Sequence, residues 1–177
     1  MVQTQRQRAG RHAAAGALAS VSQTAAAALG SAAAPIVLMP GVGGGVLDAV
    51  APGLTDIGVM LAYSPIHHLL FDRLGPVPLV MTSANRGGSP IVFRDNDLDW
   101  IDGLADAVLP HDRAIHVPCE DSVISVDGGG SGVGAELPIR RSRGYAPLPV
   151  SVDAAIDSTA ILATGGDLKT TFCLFGS

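Results

Sequence analysis

Residues 79–91 read LVMTSANRGGSPI, so an apolar run ends in Thr82 and Ser83, followed by Asn85 and then by Gly87 and Gly88. These are the parts of a phosphate cradle. Ser83 brings a hydroxyl, and Asn85 brings both a donor and an acceptor. The two glycines permit positive φ and let backbone N–H groups approach an anion. The chemistry on offer is nucleotide or phosphate binding. A capped turn uses the same residues and is the commoner outcome for a lone Ser-x-Asn-x-Gly.

A second group lies in IRRSRG, with Arg140, Arg141 and Arg143 inside four residues. Alternation along a strand would put Arg141 and Arg143 on one face and Arg140 on the other. Two guanidiniums on one face fork a triphosphate or a carboxylate. The competing outcome is plain pairing with Glu120, Asp121 or Glu136. CEDSV places Glu120, Asp121 and Ser122 just before a strand, suited to magnesium through water and phosphate, or to an acidic turn. His67 and His68 diverge by roughly 100° on a helix, so they cannot chelate one metal together. One is expected at the boundary of the core and the other exposed. His111–Arg113 reads as a polar turn.

The elements that must position these groups follow from local signals. Ser22 is placed to cap a short helix that stops near Gly30. PIVLM (35–39) and DIGVML (56–61) read as strands, with loop chemistry between them over 40–53. SPIHHLLFDRL has Ser64 as cap, Pro65 in the first turn and apolar residues at helical spacing. VPLVM (77–81) is a third strand. Asp95 or Asn96 is placed to cap a helix over DLDWIDGLA. AVLP, SVISVD (122–127) and LPIRRSRG read as strands, and GGGSGVG as a connector. Residues 145–158 carry Pro without helical periodicity and read as a linker. TAILATGGD and TFCLF then form a strand, a Gly turn and a strand.

Composition narrows the class. The chain has 177 residues, of which 47 % are apolar and 4 % aromatic, so its core must be aliphatic and Ala-lined. The net charge of −5 argues against a protein that coats nucleic acid. Lys169 is the only lysine, so any function needing one must use it or find it elsewhere. Cys119 and Cys173 form no CxxC pair, which suggests neither zinc nor a disulfide framework and makes a reducing cytoplasm the default. Arg6, Arg8 and Arg11 precede an Ala-rich run, a pattern shared with transit peptides. Polar interruptions make it a poor apolar segment and favour helix in a soluble domain over targeting or membrane.

Strands alternate with helices early and follow one another late, which indicates an α/β domain with a mixed sheet. In order, GVMLAYSPIHHLL, PLVMTSANRGGSPI, LPHDRAI, EDSVISV, IRRSRGYAPLPV and GGDLKTTFCL resemble the HypF family, the carbamoyltransferases that mature [NiFe] hydrogenases. The likeness covers roughly Ala34 to Leu174, while MVQTQRQRAGRHAAAG shows no match. The Ser-x-Asn stretch marks the wider YrdC-like fold. The paired His, the Arg-Arg-Ser-Arg-Gly-Tyr end and the Gly-Asp-Leu-Lys hairpin point to this family within it.

The resemblance implies an α/β fold: a YrdC-like twisted mixed sheet with flanking helices, here a partial domain, followed by the isolated β-hairpin of a second domain. The expected organisation is an Ala-rich, helical segment over 1–33, the partial YrdC-like domain over 34–146, a linker over 147–158 and the start of a carbamoyl-transferring domain over 159–177. Such proteins form carbamoyl-adenylate from ATP, magnesium and a carbamoyl-phosphate-derived carbamate. They then pass the carbamoyl group to a C-terminal cysteine of a hydrogenase-maturation partner. By matching position, Ser83 and Asn85 would hold phosphates and magnesium, and Arg141 and Arg143 the triphosphate or acyl-adenylate. Asp121 and Ser122 would line the same cleft. Double-stranded RNA binding attaches to the fold by analogy alone. Because the family's lysine has no counterpart before Lys169, this chain is expected to be an inactive fragment. Two alternatives stand beside it. One is a stand-alone threonylcarbamoyl-adenylate synthase for tRNA modification, and the other a non-catalytic nucleotide-binding remnant.

Overall fold

The computed structural model describes residues 1–4, 13–126, 136–150, 160–165 and 171–175. The glycine connector, most of the linker and Lys169 lie outside the described residues. Two compact units form. The first holds Met1–Ser83 and His116–Pro147, and the second Ala84–Ile115 and Leu148–Ser177.

The first unit is built on a six-stranded mixed sheet, as the α/β reading expected. In chain order its strands are β1 (Val2–Thr4), β2 (Ile36–Pro40), β3 (Asp56–Leu61), β4 (Leu79–Val80), β5 (Val123–Ser125) and β6 (Leu137–Arg140). Across the sheet they run β4-β1-β3-β2-β5-β6. β1 lies parallel to β3, with Val2 opposite Val59 and Gln3 opposite Met60. β2 runs parallel to β5 and antiparallel to β3.

Period-two alternation sorts the side chains. Val2, Val37, Met39, Ile57, Val59, Leu61, Ile124 and Val126 join one core cluster with Ala15, Ala19, Ala25, Ala28 and Leu29. Those alanines come from α1 (Ala13–Gly16), α2 (Gln23–Gly30) and the turn between them. Their small side chains let the helical layer approach the sheet closely. Ser22 caps α2 as expected, its Oγ accepting from the Ala25 N–H at 3.1 Å. Gln3 and Met60 alternate to the opposite sheet face. There α4 (Pro65–Leu74) buries Phe71 and sends His67 to Gln3. Ser64 caps α4 through the His67 N–H, and Pro65 occupies its first turn.

Several elements depart from the sequence expectation. No strand was expected before Pro35, yet Val2–Thr4 is an interior strand; three residues show no periodicity, and pairing on both sides stabilises them. Residues 40–53 read as loop, but Gly45–Val50 forms α3, started at Gly44 with φ 96° and no side-chain cap. The third strand contracts to Leu79–Val80, and 107–110 is not a strand.

In the second unit the helix expected after Asp95 is a 3₁₀ helix, Asp95–Ile101, starting from Arg94 without a side-chain cap. Its first turn closes where the Asp97 N–H donates to the Arg94 carbonyl at 3.0 Å. The C-terminal hairpin pairs β7 (Ile161–Thr164) with β8 (Phe172–Phe175), antiparallel and in a sheet of its own. Its Ile161, Leu162, Phe172 and Leu174 are all more than half exposed. Exposed apolar edges promote association. Deleting 151–177 is therefore expected to raise solubility and leave the first unit's melting transition nearly unchanged. A large drop in melting temperature in a thermal scan would show that this segment supports the first unit.

Candidate functional site

The first unit gathers three of the expected site residues in one network. Asp121 leads into β5, and Arg143 follows β6; the two are joined by an isolated parallel bridge. The Arg143 guanidinium donates from Nε at 2.9 Å and from Nη2 at 2.8 Å, both to Asp121 Oδ1. Nη1 and Nη2 also reach the carbonyls of Ala33 and Ala34, at 3.0 and 2.8 Å. Its flat face lies 3.7 Å over the Tyr63 ring, a cation–π contact. Ser122 is fully buried. Its Oγ donates to the Arg143 carbonyl and accepts from the Ser142 N–H, at 2.9 and 2.8 Å.

The arginines do not share a strand face. β6 ends at Arg140, and the chain turns where the Ser142 carbonyl accepts from the N–H groups of Tyr145 and Ala146. Gly144 takes φ 82° at that turn. Arg140 pairs with Glu120 at 3.0 Å, while Arg141 donates to the Tyr145 carbonyl at 2.8 Å. Two of the three arginines thus hold the carboxylates that were their alternative partners. Glu136 accepts instead from the Tyr145 hydroxyl at 3.1 Å. Burial first, then Glu136, pushes the Tyr145 phenol up to about 12.

Sequence reasoning missed Tyr63, Gln3 and the working side of His67. The Tyr63 hydroxyl donates to Asp121 Oδ1 at 3.2 Å, and its ring meets the His67 ring edge-on at 4.8 Å. Gln3 Nε2 lies 2.7 Å from His67 Nδ1, and Gln3 is fully buried. His67 is half-buried and His68 exposed, the split expected for the pair. Only the tyrosine between a buried strand and a capped helix was a usable signal. Burial, ahead of the charges around it, holds His67 below its ordinary value of 6.5. Protonation therefore favours the unfolded chain. His67 contributes stability that is fully present above about pH 6.5 and is lost as pH falls through its lowered value. Urea midpoints are expected to drop between about pH 7.5 and about pH 5, with a smaller drop in His67→Gln. Equal slopes in both proteins would remove His67 as the source.

Ser83 ends the first chain segment of the first unit, and Asn85 belongs to the second unit. Asn85 Nδ2 donates to the carbonyls of Arg86 and Ser89, each at 3.0 Å, bracing its own loop. The Ser89 N–H closes a turn onto Arg86, with Gly88 at φ 78° in the position that needs positive φ. Arg86 ties this loop to the carbonyls of Trp100 and Asp102, at 3.0 and 2.7 Å. Beside it is a hollow of about 360 Å³ lined by Arg86, Ser89, Phe93, Arg94 and Trp100 among others. His111–Arg113 lines another, of about 420 Å³.

The Sua5/YciO/YrdC family, described as telomere recombination, matches residues 11–134, well over half of the chain. Identity to the carbamoyltransferase HypF of Rhizobium leguminosarum bv. viciae is 43 % over 164 residues, covering 89 % of this chain and 21 % of that protein. The chain belongs to the YrdC-like family, in its HypF branch. The HypF of Rhodobacter capsulatus is 42 % identical over 159 residues, covering 89 % of this chain and 20 % of that one. A solved full-length HypF in its phosphate- and nucleotide-bound form superposes with a TM-score of 0.76 at 35 % identity, over 99 % of this chain and 26 % of that one. HypF of T. kodakarensis gives 0.77 at 32 %, over 99 % and 21 %. This chain thus spans about a fifth of the length of the HypF proteins it matches. Among the described residues, no helix is long and apolar enough to cross a membrane.

Proposed function

We propose that this chain is the nucleotide-handling part of a HypF carbamoyltransferase, contributing to carbamoyl-adenylate formation from ATP, magnesium and a carbamoyl-phosphate-derived carbamate. The observation that carries this reading is the match, over 99 % of the chain, to a HypF solved in a phosphate- and nucleotide-bound form. In this reading Ser83 and the loop braced by Asn85 hold the phosphates with their magnesium. Arg141 and Arg143 supply fixed positive charge, and Asp121 and Ser122 hold the frame around it. Fixed charge matters because adenylation brings two anions together, the carbamate oxygen and the α-phosphate.

The complete reaction is assigned to the longer carbamoyltransferase rather than to these 177 residues alone. So is transfer to the C-terminal cysteine of a cytoplasmic maturation partner. A stand-alone threonylcarbamoyl-adenylate synthase is the second reading, and the HypF-like hairpin at β7–β8 disfavours it. RNA binding keeps only the support of fold analogy.

Calorimetry with Mg–ATP tests the cradle. Asn85→Ala is expected to weaken binding by about 1–3 kcal/mol, and Ser89→Ala by less. No binding by the parent chain, or equal losses at both positions, would sink the assignment.

A further inference from the structure

The loop braced by Asn85 and the hollow beside it are built from one continuous stretch, and both lie in the second unit. The Val92 N–H closes the loop onto the Ala84 carbonyl at 2.8 Å, and Asn85 Nδ2 holds the Ser89 carbonyl inside it. Residues 89–94 then run straight from the loop into the wall of the hollow, and the 3₁₀ helix adds Trp100. Arg86 fastens the helix to the loop, since its Nε donates to the Trp100 carbonyl at 3.0 Å. The indole is therefore carried on backbone tied to the loop.

At about 360 Å³, the hollow falls in the size range of small-molecule pockets, roughly 300–1,000 Å³. Ile91, Val92, Phe93 and Trp100 give it apolar and aromatic walls. The Arg94 guanidinium stands over the Phe93 ring, 4.7 Å from its centroid. Trp100 is 68 % exposed, so the core does not account for its large ring. Aromatic rings and guanidinium planes at an open hollow suit a flat π-system, which stacks on either. Carbamate and magnesium are small and strongly hydrated, and such walls offer them nothing. The base is the one part of ATP with a π-face. The neighbouring hollow shares Phe93 and Arg94 but is otherwise lined by polar groups such as His111, Asp112 and Arg113, without the indole.

We propose that the hollow beside the Asn85 loop is the base subsite, in which the purine of ATP stacks on Trp100 while its phosphates lie on the loop. The inference rests on the reading of this chain as nucleotide-handling and adds where the base is held.

Trp100 is the only tryptophan of the chain, so its emission reports on this hollow alone. The test titrates the full 177-residue chain with Mg–ATP and, separately, with magnesium tripolyphosphate, which lacks the base. Emission and calorimetry are read together, with N-acetyltryptophanamide in the same solutions as the optical control. ATP is expected to quench Trp100 saturably, at the affinity that calorimetry gives. Tripolyphosphate should bind about tenfold more weakly, the loss of one stacked base, and leave the emission unchanged. Trp100→Ala should weaken ATP by about the same factor and leave tripolyphosphate as it was, while Trp100→Phe keeps most of the ATP affinity. Arg113→Ala, which lines only the neighbouring hollow, should bind ATP as the parent does. ATP that binds without changing the emission overturns the inference and leaves the nucleotide reading standing. So does tripolyphosphate that binds as tightly as ATP or quenches as strongly, and so does a Trp100→Ala chain whose ATP affinity is unchanged. Failure of the parent chain to bind ATP overturns both.

Discussion

Gly144→Ala is expected to destabilise the first unit by about 2–5 kcal/mol, the sum of a left-handed backbone penalty and an overpacking term. Gly144 has φ 82°, and a Cβ there would stand 2.6 Å from Ala33 Cα and 2.7 Å from the Ala33 carbonyl oxygen. Those are backbone atoms, so no side-chain rotation relieves the overlap. The segment that would have to move is also held, because Arg143 bonds the carbonyls of Ala33 and Ala34. Gly53 provides the control. Its φ is 75°, but nothing lies within 4 Å of the added Cβ, so Gly53→Ala carries only the backbone term of about 1–2 kcal/mol. Urea denaturation of both variants separates the two effects. A Gly144→Ala protein no less stable than Gly53→Ala would show that the α2–β2 loop yields freely.

The importance of Gly144 was not legible in IRRSRG, and the reason is general to this chain. Elements encoded by neighbouring residues were readable. Ser22 and Ser64 each cap the helix that follows, and β3 runs over Asp56–Leu61 as its apolar run indicates. The C-terminal hairpin follows from two apolar runs around a Gly turn. Elements that depend on distant partners were not. Val2–Thr4 becomes a strand because β3 and β4 flank it, and nothing within those three residues reports that. α3 forms in a stretch whose glycines advertise a loop.

The same division runs through the candidate site. Asp121, Ser122 and Arg143 were legible as polar residues at strand ends, but their mutual arrangement was not. Ser122 looked like a cleft-lining hydroxyl, yet it is fully buried and pins the turn after β6. Tyr63 meets Asp121 from 58 positions away, and Gln3 meets His67 from 64. Side-chain pairs at such separation leave no local pattern, and only the sheet order brings them together.

Arg143→Ala is expected to cost about 2–4 kcal/mol, which follows from what the guanidinium touches. Removing it leaves Asp121 with only the Tyr63 hydroxyl and strips the donors from two carbonyls. The pair is about three-quarters buried, with side-chain exposures of 24 % and 26 %, so solvent screens it less than a surface pair. Arg140–Glu120 is the comparison, a single contact whose arginine is 44 % exposed. Arg140→Ala should cost within about 1 kcal/mol. Arg143→Lys should fall between the two alanine variants, since an ammonium can meet Asp121 but cannot also reach both carbonyls in the plane of a fork. Denaturation curves for the three variants, read beside their ATP affinities, separate the two roles that Arg143 carries. If Arg143→Lys keeps most of the stability but loses ATP binding, the guanidinium meets the nucleotide itself. If stability and affinity fall in proportion across the series, Arg143 acts by holding the loop at Ala33 and the carboxylate at Asp121. Loss of no more than about 0.5 kcal/mol in Arg143→Ala, the range of an ordinary surface substitution, would refute the structural role.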